Sequence, residues 1–127
     1  MDDVRTIDIR VEPGRAGLVV THVAGEVDII AVPALRDCVD EQLGVARSLV
    51  LDLTETSFFG AAGLSLLVRL STAAGRRALP WALTGRQPVL RPLSVTGLDR
   101  SLPVYPDLGE AIAAVSEAGI AAGARVH

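Results

Sequence analysis

The chain has 127 residues, half of them hydrophobic, a mean hydropathy of +0.41 and a net charge of −3. That length fits one domain with a packed core and excludes a disordered chain. All 12 basic residues are arginines, scattered so that no cluster exceeds Arg76-Arg77, which argues against a phosphate-tracking surface and so against nucleic-acid binding.

Aromatic residues make up only 3% of the chain, so its core is built from Val, Leu, Ile and Ala. A single cysteine, Cys38, forms no internal disulfide, and a reducing compartment follows. The opening Met1-Asp2-Asp3-Val4-Arg5 carries acids where a signal peptide carries positive charge. No apolar run approaches the ~18 residues a membrane span needs. The expectation is a soluble, cytoplasmic protein with no direct membrane insertion.

Thr6 to Val11 alternates polar and apolar residues and reads as a half-exposed strand closed by Pro13-Gly14. Leu18 to Val23 is rich in β-branched residues and reads as a second strand, paired to the first as a hairpin across Pro13–Gly17. Val32, Leu35, Val39 and Leu43 then fall on one helical face, with Cys38 beside them. Pro33 is tolerated only in a first helical turn, so the helix starts near Ala31 or Val32 and ends at Gly44. Ser48 to Leu53 is a nearly unbroken apolar run, as in a buried parallel strand.

Thr54 to Phe59 reads as a loop, and Gly60-Ala61-Ala62-Gly63 opens a helix that runs to about Ala74. Its stripe Leu64, Leu67, Val68 and Ser71 suits the core. A second stripe, Leu66, Leu70 and Ala73, faces either a neighbouring helix or a partner. Trp81 to Thr84 is a short strand, and Gln87 to Leu93 a short helix or turn. Leu102 to Tyr105 is a terminal strand confined to an edge by Pro103. Asp107 caps a last helix over Leu108 to Ala118, and residues 119–127 are expected to fray. The order predicts one α/β domain, 1–127 with its core over about 4–118: a mixed, mainly parallel sheet of about five strands with about four helices.

Catalytic chemistry is not legible. His22 lies mid-strand and His127 is the last residue, and neither has a partner at metal-ligand spacing. No nucleophile elbow, Walker loop or dinucleotide fingerprint is present. No enzyme, metal or cofactor is expected. Cys38 reads as a small buried hydrophobe, with a redox or dimer-forming thiol as the alternative. Asp52 lies in a buried pattern that asks for a pairing partner, and Asp28 either caps nearby backbone amides or serves a partner. In a βαβ unit Asp28 and the start of the second helix emerge at the same sheet edge, where ligands and partners bind. One of Phe58 and Phe59 packs into the core, and the other is a candidate anchor.

Gly25-Glu26-Val27-Asp28, an amphipathic helix, Leu49-Val50-Leu51-Asp52-Leu53, a six-residue interval and then Gly60-x-x-Gly63-Leu64 resemble the STAS domain. The resemblance spans about residues 4–118 and is nearest to the free-standing anti-sigma factor antagonists. It implies binding to an anti-sigma factor that is also an ATPase-type serine kinase. Antagonists of this kind release a sigma factor and are ejected when a serine at the second helix start is phosphorylated. Here the usual Asp-Ser-Ser-Gly is replaced by Gly60-Ala61-Ala62-Gly63, so Ala61 offers no acceptor oxygen. The implied partner-binding set is Asp28, Phe59, Gly60, Ala61, Ala62, Gly63 and Leu66. Ser57 is the most reachable substitute hydroxyl. Loss of the switch implies a constitutive antagonist, with a homodimer as a further possibility. The alternatives are a STAS subunit docked to an ABC-type lipid transporter, and a scaffold in another signalling assembly.

Overall fold

The computed structural model describes residues 7–124, with side chains over 7–118. The elements are β1 (Ile7–Pro13), a 3-10 turn (Arg15–Gly17), β2 (Leu18–Val27), α1 (Val32–Val45), β3 (Ser48–Phe59) and α2 (Ala61–Arg76). They continue with β4 (Trp81–Gly85), α3 (Gln87–Thr96), a second 3-10 turn (Leu98–Arg100), β5 (Val104–Tyr105) and α4 (Leu108–Ala124). The five strands lie in sequence order; β1 is antiparallel to β2 and the other neighbours are parallel. The expected mixed α/β sheet with four helices is therefore present.

The β1–β2 hairpin closes through Gly17, whose φ is +80°, and any Cβ there would lie 2.7 Å from the Arg47 side chain. Only glycine meets both demands. Alternation then sorts side chains to two faces. Val19, Val23, Val27, Leu49, Leu51 and Leu53 pack with Leu35, Val39 and Leu43 of α1, Leu66, Leu67 and Leu70 of α2, and Val89 and Leu93 of α3. Leu18, Val20, Val50 and Ala82 pack against Ala111 and Val115 of α4. Because the start of β3 is covered on both faces, Leu49–Leu51 is apolar without a break. Arg77 donates to the Leu43 carbonyl at 2.7 Å, placing a cation on the C-terminal end of α1.

Two helices are longer than their sequence patterns suggest. Residues 87–93 lie in a helix that continues to Thr96, where Gly97 stops it in the left-handed conformation. The last helix continues past Ala118 to Ala124. The expected tail at 125–127 and the segment 4–6 lie outside the described residues.

The largest departure is at Thr54–Phe59. These residues are strand, not loop, and they pair with the second half of β2 as far as Val27↔Phe59. Their polar composition suggests a loop, but Thr and Phe suit a pleated strand. The register slips twice, between His22↔Asp52 and Ala24↔Glu55 and between Gly25↔Thr56 and Glu26↔Phe58. Each slip puts one extra residue into β3, which is a β-bulge, and each switches the parity of the core-facing side chains. Leu53, Thr56 and Phe59 are accordingly the buried positions. The Thr56 hydroxyl donates to the Val23 carbonyl at 2.9 Å and satisfies an acceptor within the bulged stretch.

Candidate functional site

β2 and β3 run parallel and end together, so their exits form one edge. Gly60 donates its amide to the Val27 carbonyl at 3.0 Å, which ties the start of α2 to the end of β2. Asp28 follows immediately. Its Oδ1 accepts from the amides of Ile30 at 3.1 Å and Ala31 at 2.9 Å, and its carbonyl accepts from Val32. Asp28 therefore caps the turn that leads into α1, the simpler of its two expected roles. Its turn presents Ile29 and Ile30 to solvent, 79% and 82% exposed. Phe58 is 52% exposed, and its ring lies 3.1 Å from where a Gly60 Cβ would stand.

The edge is thus an apolar shelf beside the N-terminus of α2. Gly60 is the N-cap residue, and no side chain caps it. The first amides of the helix carry the positive end of its dipole. Ala61 is exposed and Ala62 half-buried, so two small residues leave this end open to a partner's close approach.

Three expected binding residues do not face this edge. Phe59 is only 4% exposed and belongs to the core; Phe58 is the outward ring, because the second bulge reverses the two. Leu66 is also a core residue, as are Leu67, Leu70 and Ala74. The second stripe of α2 thus faces the interior, while Val68, expected inside, is 44% exposed. Gly63 is buried because the Phe59 ring packs against it; a Cβ would stand 2.8 Å from that ring. Ser57 is exposed as expected but is the extra residue of the second bulge, held in β3. Ile29 and Ile30 carry no pattern in sequence, since an apolar pair between a strand and a helix resembles either element's end.

A second polar constellation crosses the face that α4 leaves uncovered. Arg10↔His22, His22↔Asp52, Asp52↔Thr84 and Thr84↔Tyr105 are successive register partners and form one row across all five strands. His22 Nδ1 lies 2.7 Å from Asp52 Oδ2, and its Nε2 lies 2.7 Å from Glu12 Oε1. Carboxylate oxygens accept, so the ring satisfies both partners only when both nitrogens carry a proton. Asp52 Oδ1 accepts from the Thr54 amide at 3.1 Å and its hydroxyl at 2.7 Å. A cavity of about 200 Å³ opens here, lined by Asp8, Arg10, His22, Asp52 and Glu55 among others. Asp28 and Asp52, paired in expectation as the notable carboxylates, stand apart: seven strand positions separate Asp52 from Phe59, or about 20 Å.

Burial pushes the Asp52 carboxyl up, but the two Thr54 hydrogen bonds and the His22 contact outweigh it and hold the group below its ordinary value. The stability Asp52 contributes is present above the unfolded carboxylate's value, about 4, and is lost as pH falls through the lower folded value. Asp52→Asn is expected to destabilise the protein at neutral pH, with the gap to wild type closing at an acid pH below the folded carboxyl's lowered value. Urea melts at both pH values check this, and a gap that stays constant refutes it. At Cys38, burial first and the nearby Glu41 carboxylate second push the thiol up. A thiol shifted this way stays protonated and is a poor nucleophile, which disfavours the redox alternative.

Among the described residues no cluster of three or more His, Cys, Asp or Glu could hold a metal ion, and no helix is long and apolar enough to cross a membrane. RsfB of Mycobacterium tuberculosis, an anti-sigma-F factor antagonist, is 30% identical over 101 residues, 78% of this chain and 82% of RsfB. The crystal structure of an anti-sigma factor antagonist from Mycobacterium paratuberculosis matches with a TM-score of 0.81 at 30% identity, over 91% of this chain and 99% of that one. The unphosphorylated form of the Bacillus protein SpoIIAA shares the fold, with a TM-score of 0.68 at 19% identity over 81% of this chain and 90% of its own. The STAS domain model matches residues 7–111. With its bulged β3 delivering a glycine-flanked helix start to the β2–β3 edge, the chain belongs to the STAS domain family.

Proposed function

We propose that this chain is a cytoplasmic anti-sigma factor antagonist that works by docking and not by catalysis. Its partner is an anti-sigma factor with an ATPase-type kinase domain, and binding releases the sigma factor. The observation that carries the reading is the shelf of Ile29, Ile30 and Phe58 beside an uncapped α2 start, in a chain 30% identical to an antagonist over most of its length. Exposed apolar groups next to open backbone amides suit a partner that brings both an apolar surface and acceptors.

The missing hydroxyl at Ala61 makes the protein a constitutive antagonist. A phosphate at this position would add about two negative charges to an interface fitted to a methyl group. Wild-type protein incubated with its cognate kinase and ATP is expected to gain no phosphate at residue 61, whereas Ala61→Ser gains one. Phosphorylated Ala61→Ser is expected to bind the anti-sigma factor at least about tenfold more weakly than the unmodified variant. Mass spectrometry and calorimetry read both. Wild-type phosphorylation at Ser57, followed by release, would move the switch to that hydroxyl and end the constitutive reading.

The protein as bait separates this function from the transporter alternative. Recovery of an ATPase-type anti-sigma factor, with sigma displaced from the purified complex, supports the antagonist. Recovery of permease and ATPase subunits without such a kinase overturns it.

A further inference from the structure

Among the described residues the sheet has two open edges. β5 contributes only Val104 and Tyr105 and is too short to template another strand. β1 is seven residues long, and β2 is its only neighbour in the described sheet. Its outer side therefore presents backbone donors and acceptors that no other described strand pairs.

The side chains of β1 are self-complementary. Ile7, Ile9 and Val11 point to the face of the main core; Ile7 and Ile9 pack against it, and Val11 is 38% exposed. Asp8, Arg10 and Glu12 point to the other face and are exposed. When two copies of β1 run antiparallel about a two-fold axis at Ile9, Asp8 of each meets Arg10 of the other. Ile7 meets Val11, and Ile9 meets Ile9. Two opposite-charge pairs and three apolar pairs then lie in register, each on the correct face.

Neighbouring registers of the same parity are worse. An axis at Asp8 opposes Asp8 to Asp8. An axis at Arg10 opposes Arg10 to Arg10 and Asp8 to Glu12. An axis at Val11 sets Pro13, which has no amide, against Ile9. Arg10 does approach Glu12 within its own strand, but at 3.8 Å and with both groups largely exposed, a contact that costs little to exchange.

We propose that the outer edge of β1 is a homodimer interface that joins two five-stranded sheets into one continuous sheet, in the register that sets Asp8 against Arg10 of the second copy. The pairing is isologous, so it closes at two copies. It leaves the shelf of Ile29, Ile30 and Phe58 uninvolved, so a dimer presents two docking edges, and the inference stands whether or not those edges bind an anti-sigma factor.

The test is the mass in solution, by sedimentation or light scattering of the full chain, up to about 1 mM. Wild type is expected to approach twice 13.3 kDa. Asp8→Arg and Arg10→Asp, both exposed strand positions, are each expected to weaken the dimer at least about tenfold, since like charges then face each other. An equimolar mixture of the two variants is expected to form a heterodimer, because every facing pair is again opposite in charge. The Asp8→Arg/Arg10→Asp double variant is expected to dimerise like wild type. Circular dichroism of each variant confirms the fold. A wild type that stays monomeric over the whole range, or a dimer indifferent to both single variants, overturns the proposal. So does a mixture that gains nothing over its components.

Discussion

Gly63→Val is expected to destabilise the protein by about 2–3 kcal/mol, the upper part of the range for overpacking a filled core. Any Cβ at position 63 falls 2.8–3.0 Å from three atoms of the Phe59 ring. The ring has little room to retreat, because Phe59 is itself 4% exposed and ends a strand that pairs with Val27. Relief has to come from moving α2 off the sheet, which loosens Leu66, Leu67 and Leu70 as well. A lower urea midpoint with an unchanged denaturant slope is the expected signature. The same variant would also shift the start of α2, so partner binding should fall with stability. A midpoint unchanged from wild type would mean that the contact relaxes freely and that Gly63 is present for another reason.

The second large effect concerns binding alone. Phe58→Asp combined with Ile30→Asp is expected to weaken anti-sigma factor binding by at least about a hundredfold, or roughly 2.7 kcal/mol. Both side chains are mainly in solvent, so their replacement leaves the core intact and stability close to wild type. In a complex the introduced carboxylates would have to shed water against an apolar partner surface without a hydrogen bond in return. Phe59→Asp is the informative contrast: it buries a charge in the monomer and should unfold it. Calorimetric titration alongside thermal melts separates the cases. Unchanged affinity in the double variant would move the docking surface away from the β2–β3 edge.

Much of the architecture was legible from periodicity. The alternation before Pro13, the i, i+3, i+4 apolar pattern around Pro33 and the nearly unbroken run Leu49–Leu53 each report burial on one face, on one stripe or on both faces. Turn chemistry at Pro13-Gly14 and Gly44 set most boundaries to within a few residues. The helix start at Gly60–Gly63 was also legible, since its small residues in that order resemble one family's motif.

Periodicity failed where the strand stops being regular. A residue-by-residue alternation carries no mark of a bulge, because the extra residue is defined by what the partner strand does. Thr54–Phe59 therefore read as a loop, and nothing local could say that Phe59 turns inward and Phe58 outward. The assignment of Leu66 and Val68 failed for a related reason. Both lie within one helical turn of the apolar stripe, and the angle at which α2 settles on the sheet and on α1 decides which is covered. The Glu12–His22–Asp52 chain was beyond local reading as well, since its members are 10 and 30 residues apart. Asp52 announced only that it needed a partner.

By itself, then, the sequence determined the α/β fold, which residues of its regular strands and first helix supply the interior, and that position 61 has no phosphate acceptor, for these depend on composition, local spacing and covalent chemistry. The tertiary structure decided which phenylalanine and which leucines are buried, and that Asp28 serves the backbone while Ile29 and Ile30 face solvent. The choice of phenylalanine depends on two one-residue slips between parallel strands, each of which turns side chains from one face of the sheet to the other, and the choice of leucines depends on how α2 settles on the sheet.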